Sequence, residues 1–337
     1  MSDSPYRSFR EQSVHYFTRD HSGLPDAQIE SAAAWRGPEI RKQESSWHFT
    51  LEPADLEELD RELSRLCDEN TPLESITRSG LQLPRLSKKC RGWQSELMHG
   101  RGFVVVSGLP VEAWGEARSA LAFWAIGHQL GLPGAQNPQD ELLGHVTDYG
   151  EQGDSPNVRL YRTPSNINFH CDVADVVGLL CLQTARTGGQ SRIASSVAIW
   201  NALYEEDEAL AETLFEGFAL DLRGEHRPGQ AGHADLQPCC FGKDGVLRTF
   251  YHSEYFRSAE RLEEIGSLPE SHMRLLDRYD ALAGSPVFHL DMWLEPGDMQ
   301  FISNHTIVHS RTEYEDDSNP TRKRHLLRLW LSLDGAA

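Results

Sequence analysis

The tripeptide His170-Cys-Asp172, with His309 far downstream, constrains this chain more than any other feature, because donors so distant in sequence meet only in one tertiary arrangement. Phe169 precedes the tripeptide, and Val173, Val176, Val177 and Leu179 follow it, so it reads as a strand entering a short turn. A period of two puts Asn168, His170 and Asp172 on one face and turns Cys171 away. Two imidazoles and one carboxylate on one face of a metal, with other positions open, form the donor set of non-heme Fe(II) oxygenases.

The chain supplies its own control, since His289-Leu-Asp291 is a second His-x-Asp. It sits in Phe288–Leu294, a strand entering the turn Glu295-Pro-Gly-Asp298, and nothing around it resembles a co-substrate site. It is read as a decoy. His305, four residues before His309, would share its strand face and is an alternative ligand.

An apolar strand, Val176–Leu182, follows Asp172, then a glycine turn with a hydroxyl, Thr187-Gly-Gly-Gln-Ser191, and a helix starting near Ser195. After His309 comes Arg322-Lys-Arg-His-Leu-Leu-Arg-Leu-Trp-Leu331. As a strand it puts Arg324, Leu326 and Arg328 on one face, the arginines about 13 Å apart along the backbone. Arginines on an otherwise apolar strand need anionic partners. A dicarboxylate co-substrate and an acidic substrate would meet that need.

These motifs together resemble the taurine dioxygenase (TauD/TfdA-like) family of Fe(II)- and 2-oxoglutarate-dependent oxygenases, a branch of the clavaminate synthase-like jelly rolls. The resemblance spans roughly residues 100 to 333. It rests on His170-x-Asp172, Gly188-Gly-Gln-Ser191, Pro296-Gly-Asp298, Asn304 five residues before His309, and Arg324-x-x-x-Arg328, in that order. It implies a mainly β fold: a double-stranded β-helix, or jelly roll, flanked by α-helices. By the same resemblance His170, Asp172 and His309 are the iron ligands, and distance from Asn304 favours His309 over His305. Arg324 would pair with the distal carboxylate of 2-oxoglutarate, assisted by Ser191 where the family usually has Thr. Arg328 would hold an anionic group of the primary substrate, which makes an amino acid or derivative the expected class. Asp172 stands where chlorinating variants have a small residue, so the implied chemistry is oxygenation with Fe(II), 2-oxoglutarate and O2. Tyr161, Asn168, Tyr251 and His252 are candidate pocket residues, and His325 is read as packing. A peptide-modifying oxygenase and a non-catalytic jelly-roll binding protein are the alternative readings.

The 337 residues, 39% hydrophobic and 25% charged, suffice for a single large domain. The expected organisation is an N-terminal extension with a helix, residues 1–99, packed on an oxygenase domain, 100–337, with a covering insert at about 223–286. A net charge of −19 opposes nucleic-acid binding, and the basic run Arg85–Arg91 reads as a solvated face. Neither a membrane-spanning run nor an apolar signal core is seen, so a cytoplasmic protein acting on a small molecule is expected. The six cysteines form no Cys-x-x-Cys pair and read as reduced, with Cys239-Cys240 on a packed strand.

The first 45 residues lack a sustained period and read as loosely ordered. Leu56, Leu59, Leu63 and Leu66 predict a helix over Pro53–Cys67. Gly102–Gly108 reads as a buried strand, Glu112–Leu130 as a helix closed by Gly131 and Pro133, and Leu268–Ala283 as another helix. Gly144–Tyr149 and Val158–Arg162 read as short strands.

Overall fold

The computed structural model describes residues 5–19, 23–68, 71–151, 160–226 and 229–333. The chain begins with α1 (Phe9–Phe17), α2 (Gly37–Arg41), β1 (His48–Thr50), α3 (Pro53–Asp68), α4 (Pro84–His99), β2 (Phe103–Ser107) and α5 (Val111–Leu130). Next come β3 (Leu132–Gly134), β4 (Leu143–Val146), β5 (Ile167–His170), β6 (Val176–Gln183), β7 (Thr187–Gly188) and β8 (Ser191–Ser195). A middle section holds α6 (Ser196–Glu206), α7 (Glu208–Glu212), β9 (Phe218–Asp221), β10 (His233–Leu236), β11 (Cys239–Phe241), β12 (Leu247–Thr249), α8 (Ser253–Ser258) and α9 (Glu270–Ala283). The last strands are β13 (His289–Met292), β14 (Met299–Ser303), β15 (Ile307–Arg311), β16 (Tyr314–Glu315) and β17 (His325–Ser332).

A seven-stranded sheet, ordered β1-β2-β14-β6-β17-β3 with β4 also on β17, faces a four-stranded sheet ordered β13-β8-β15-β5. Strand alternation explains how. Phe103, Val105, Val177, Ile302 and Trp330 of the large sheet pack against Ile193, Leu290, Met292 and Ile307 of the small one. Their alternates Val104, Val106, Phe301, Leu327, Leu329 and Leu331 face outward onto the α3–α5 layer. Both faces of the large sheet are therefore covered, which is why its central strands read as continuous apolar runs. The predicted helix at Pro53–Cys67 is α3, with Leu59 and Leu63 fully buried, so truncating either to Ala should cost ~2–5 kcal/mol. α5 bends at Gly115, whose φ of 70° the other residues of a helix would not adopt.

Among its described residues, the opening segment is not loosely ordered. α1 starts with a capping box between Ser8 and Glu11, and Tyr16 is buried, donating its hydroxyl to the carbonyls of Thr249 and Asn304. Gln12 accepts a hydrogen bond from Ser332, and His15 Nε2 lies 2.9 Å from Asp175 Oδ2. α1 is held by polar groups with distant partners, so its docked face carried no apolar period to read.

The basic run Arg85–Arg91 is also not a simple solvated face. Arg85 Nε and Lys89 Nζ each approach a different oxygen of buried Asp55 at 2.5 Å, tying α4 to α3. Of the strand expected at Val158–Arg162, Val158 and Arg159 lie outside the described residues, and Leu160–Arg162 forms a single 3-10 turn. Cys239 and Cys240 are buried on β11, and burial pushes the Cys239 thiol up to about 12.

Candidate metal centre and cavities

His170 ends β5 and His309 lies mid-way along β15, directly opposite it in the antiparallel pairing, with the ring centroids 4.2 Å apart. Asp172 follows in the turn. Its backbone N–H donates to Asn304 Oδ1 at 3.1 Å, while the Asn304 amide donates to the carbonyl of Ala174 at 2.9 Å. Asn304 thus closes the turn that brings the carboxylate back over the imidazoles. Asp172 lies 3.9 Å from His170 Nε2 through Oδ1 and 3.9 Å from His309 Nε2 through Oδ2. One ligand atom from each of the three falls within 4.8 Å of the other two.

The donor set fits iron: two nitrogens and one carboxylate oxygen on one side leave positions for a chelating acid and oxygen. His170 Nδ1 is 2.9 Å from the Asn168 carbonyl, which directs Nε2 toward the centre. Burial drives the His309 imidazole down to about 3, with His170 adding to the effect. Burial alone would raise Asp172, but Arg328 and the two histidines outweigh it and hold the carboxyl at about 2. Near neutral pH, His309 therefore offers a lone pair and Asp172 a negative charge.

His305, the alternative to His309, stands outside the donor group: its Nε2 lies 2.8 Å from Asp175, and its ring stacks on Tyr16. His289 and Asp291 lie at the opposite edge of the small sheet, where His289 Nδ1 contacts the Ala283 carbonyl and Asp291 accepts from Arg192. His325 is more than packing. Its Nε2 is 2.8 Å from His145 Nδ1, and with Glu116 these form the other potential donor group among the described residues.

The two arginines depart from simple alternation. Arg324 precedes β17, and a bulge between His325 and Leu326 interrupts the register before Arg328. Arg328 enters the metal region, with Nη1 3.6 Å from Asp172 Oδ2, Nε donating to Gln136 at 2.7 Å, and its guanidinium 4.4 Å over the Tyr161 ring. Arg324 lines a separate cavity with Gly188 and Gly189. A Cβ on Gly189 would stand 2.8 Å from Arg324 Nε, and one on Gly188 would strike the Glu313 carbonyl, so this turn requires glycine twice.

Arg311 carried no assigned role in the sequence, yet it shares the inward face of His309 two residues on, and it pairs with Ser191 across the β15–β8 ladder. Arg311 and Arg324 are 6% and 5% exposed, and their guanidinium carbons lie 4.8 and 5.1 Å from the Tyr314 ring. Arg311 donates through Nη2 to the carbonyls of Thr163 and Ser165, but its Nε and Nη1, like Arg324 Nη1, have no hydrogen-bond acceptor. Such buried cationic donors are costly unless an anion meets them. Ser191 Oγ beside them donates to Gln300. The spacing of two from His309 was a usable signal for Arg311.

Two cavities meet at Asp172. A small polar one is lined by Tyr161, Asn168, His170, Arg223, Glu254 and Arg328, among others, and Asn168 donates to Glu254 at 2.7 Å. A larger one, about 700 Å³, shares Asp172, His252 and Tyr255 with it. Tyr251 lines neither; it is fully buried, stacked on Tyr279 and bonded to Asp280. Arg223, with φ of 48° and its ring contact to Tyr255 at 4.2 Å, had no signal in sequence. Among the described residues, no helix is long and apolar enough to cross a membrane.

The chain is 29% identical over 310 residues to FR-33289 synthase of Streptomyces rubellomurinus, covering 91% of each chain. Its fold superposes with a TM-score of 0.66 on asparagine oxygenase in complex with Fe(II), 2S,3S-3-hydroxyasparagine and succinate, at 18% identity, covering 85% of this chain and 93% of that one. The non-heme iron oxygenase OrfP in complex with Fe and alpha-ketoglutaric acid gives 0.62 at 16% identity, covering 85% and 94%. The profile of the taurine catabolism dioxygenase TauD, TfdA family matches residues 69–330, and the chain belongs to that family of non-heme Fe(II)- and 2-oxoglutarate-dependent dioxygenases.

Proposed function

We propose that this enzyme oxidises an unactivated C–H bond of a small anionic substrate, an amino acid or a derivative of one, by hydroxylation, desaturation or oxidative cyclisation. In hydroxylation, substrate, O2 and 2-oxoglutarate become hydroxylated product, succinate and CO2. The observation that carries this reading is the convergence of His170, Asp172 and His309, with Arg328 lining the same cavity as His170 and Asp172. Iron, 2-oxoglutarate and oxygen together supply the oxidising power.

The protein's own residues bind and orient. His170, Asp172 and His309 hold the metal. Arg324, with Arg311 and Ser191, receives the distal carboxylate of 2-oxoglutarate; the acceptor-less buried nitrogens support this role, since a carboxylate accepts two charge-assisted bonds from an arginine fork. Arg328 draws the anionic group of the primary substrate toward the metal, with Tyr161 and Asn168 shaping the same pocket. The amino-acid products in complexes of fold relatives such as asparagine oxygenase support that substrate class.

Substrate-free 2-oxoglutarate decarboxylation, read as succinate release, tests the assignment. Arg328→Ala should retain this slow uncoupled activity and lose stimulation by any amino acid or derivative that stimulates the wild type. Loss of both activities, or of neither, overturns the role of Arg328.

A further inference from the structure

We propose that the primary substrate is amphipathic: its anionic head occupies the polar pocket between Arg223 and Arg328, and an apolar body of several carbons fills the adjoining cavity beneath α1. This rests on the oxygenase reading above and deepens it by naming a substrate class.

Charge and position define the head site. The Arg328 guanidinium lies over Tyr161 and that of Arg223 over Tyr255, and both residues line the pocket that holds His170 and Asp172. Arg223 is fixed from behind. Its backbone N–H donates to Asp221 Oδ1, and Asp221, fully buried, is itself gripped by Arg261 and Ser258. Arg223 Nε is buried with no acceptor. Asp172 and Glu254 share this lining, but Asp172 is committed to the metal and Glu254 accepts from Asn168, so two held guanidinium groups still favour an anion there.

Chemistry and size define the body site. Phe9 and Phe17 of α1, Leu220 of β9, Leu236 of β10, Phe250 and Trp330 wall the cavity of about 700 Å³, while Glu225, Asp235 and Gln237 are exposed at its margin. That volume falls in the range of pockets for drug-sized ligands, ~300–1,000 Å³. A free amino acid anchored in the small pocket would leave this apolar wall wet. The cavity reaches Asp172 directly, so an occupant of both spaces passes beside the metal ligands. Arg311, Arg324 and Ser191 line neither space, so the distal end of 2-oxoglutarate lies outside both.

N-Acylglycines provide the probe: acetyl, hexanoyl and decanoyl forms, binding anaerobically to the enzyme loaded with Fe(II) and 2-oxoglutarate, followed by calorimetry. Each methylene that enters the cavity should tighten Kd about fourfold until the space is filled. Leu236→Trp should flatten this dependence, and a thermal unfolding midpoint close to that of the wild type reports that the variant is folded. Arg223→Gln should weaken every member by a similar factor, roughly tenfold or more. Equal affinity across the wild-type series, absence of binding by every member, or a dependence that survives Leu236→Trp overturns the proposal. Substrate-free succinate release, measured in parallel, separates the outcomes: its absence sinks the oxygenase reading, and its presence with a flat series sinks the amphipathic substrate alone.

Discussion

The two His-x-Asp tripeptides occupy opposite edges of the same four-stranded sheet, and only one faces the metal region. The row of paired residues through His309 runs to His170 on β5, to Ile193 on β8, and on to Leu290 on β13. Residues in one row share a face, so His289, one position before Leu290, points to the other side. There its imidazole meets the Ala283 carbonyl, and Asp291 is taken by Arg192. Identical local chemistry becomes a donor pair or a structural pair through an offset of one residue.

The largest effect that could break this comparison is loss of metal. His170→Ala, Asp172→Ala or His309→Ala should abolish turnover and iron binding with the fold intact, whereas His289→Ala should keep iron, measured as bound iron per chain. Iron retained by His170→Ala and lost from His289→Ala would reverse the assignment.

Next in size is the anion clamp proposed at Arg324. Arg324→Ala leaves a desolvated carboxylate without its partner, at a cost of ~2–5 kcal/mol. The KM for 2-oxoglutarate should therefore rise by at least about 30-fold, with a smaller rise for Ser191→Ala. An unchanged KM would remove Arg324 from the co-substrate site.

A moderate effect is expected from the residue that sets the turn. Asn304→Ala leaves every ligand in place but frees the backbone of Asp172, so iron affinity should fall about 10–100-fold, as for other groups that orient ligands. Chelator competition measures it, and wild-type affinity would show that the turn holds itself.

The smallest effect belongs to the decoy edge. Asp291→Asn weakens a partly exposed pair with Arg192, worth up to ~1 kcal/mol. Thermal unfolding should shift by no more than a few degrees, with succinate release unchanged. A large loss of activity would mean that the two edges communicate.

Local pattern carried much of this fold. The leucine stripe of α3, the glycine-bounded β2 and the apolar β6 were legible because burial on one or both faces imposes a period that the residues must follow. α1 was not legible, since Gln12, His15 and Tyr16 are secured by hydrogen bonds to partners more than 150 positions away. The same contrast runs through the candidate site residues. His170, Asp172 and His309 stood out because few side chains bind metals, and Ser191, Arg324 and Arg328 through the family resemblance of the motifs that hold them.

The sequence by itself determined the chemistry on offer: the candidate metal donors, the arginines, the glycine pair that admits Arg324, and the alternation that builds two facing sheets. Tertiary structure alone decided which His-x-Asp faces inward, that Arg311 joins Arg324 around Tyr314, and that Arg223 and the wall of α1 meet beside Asp172. The physical reason is that side-chain type and period are local properties. Register between strands and the docking of remote segments are settled only when burial and hydrogen bonding are satisfied across the whole chain at once.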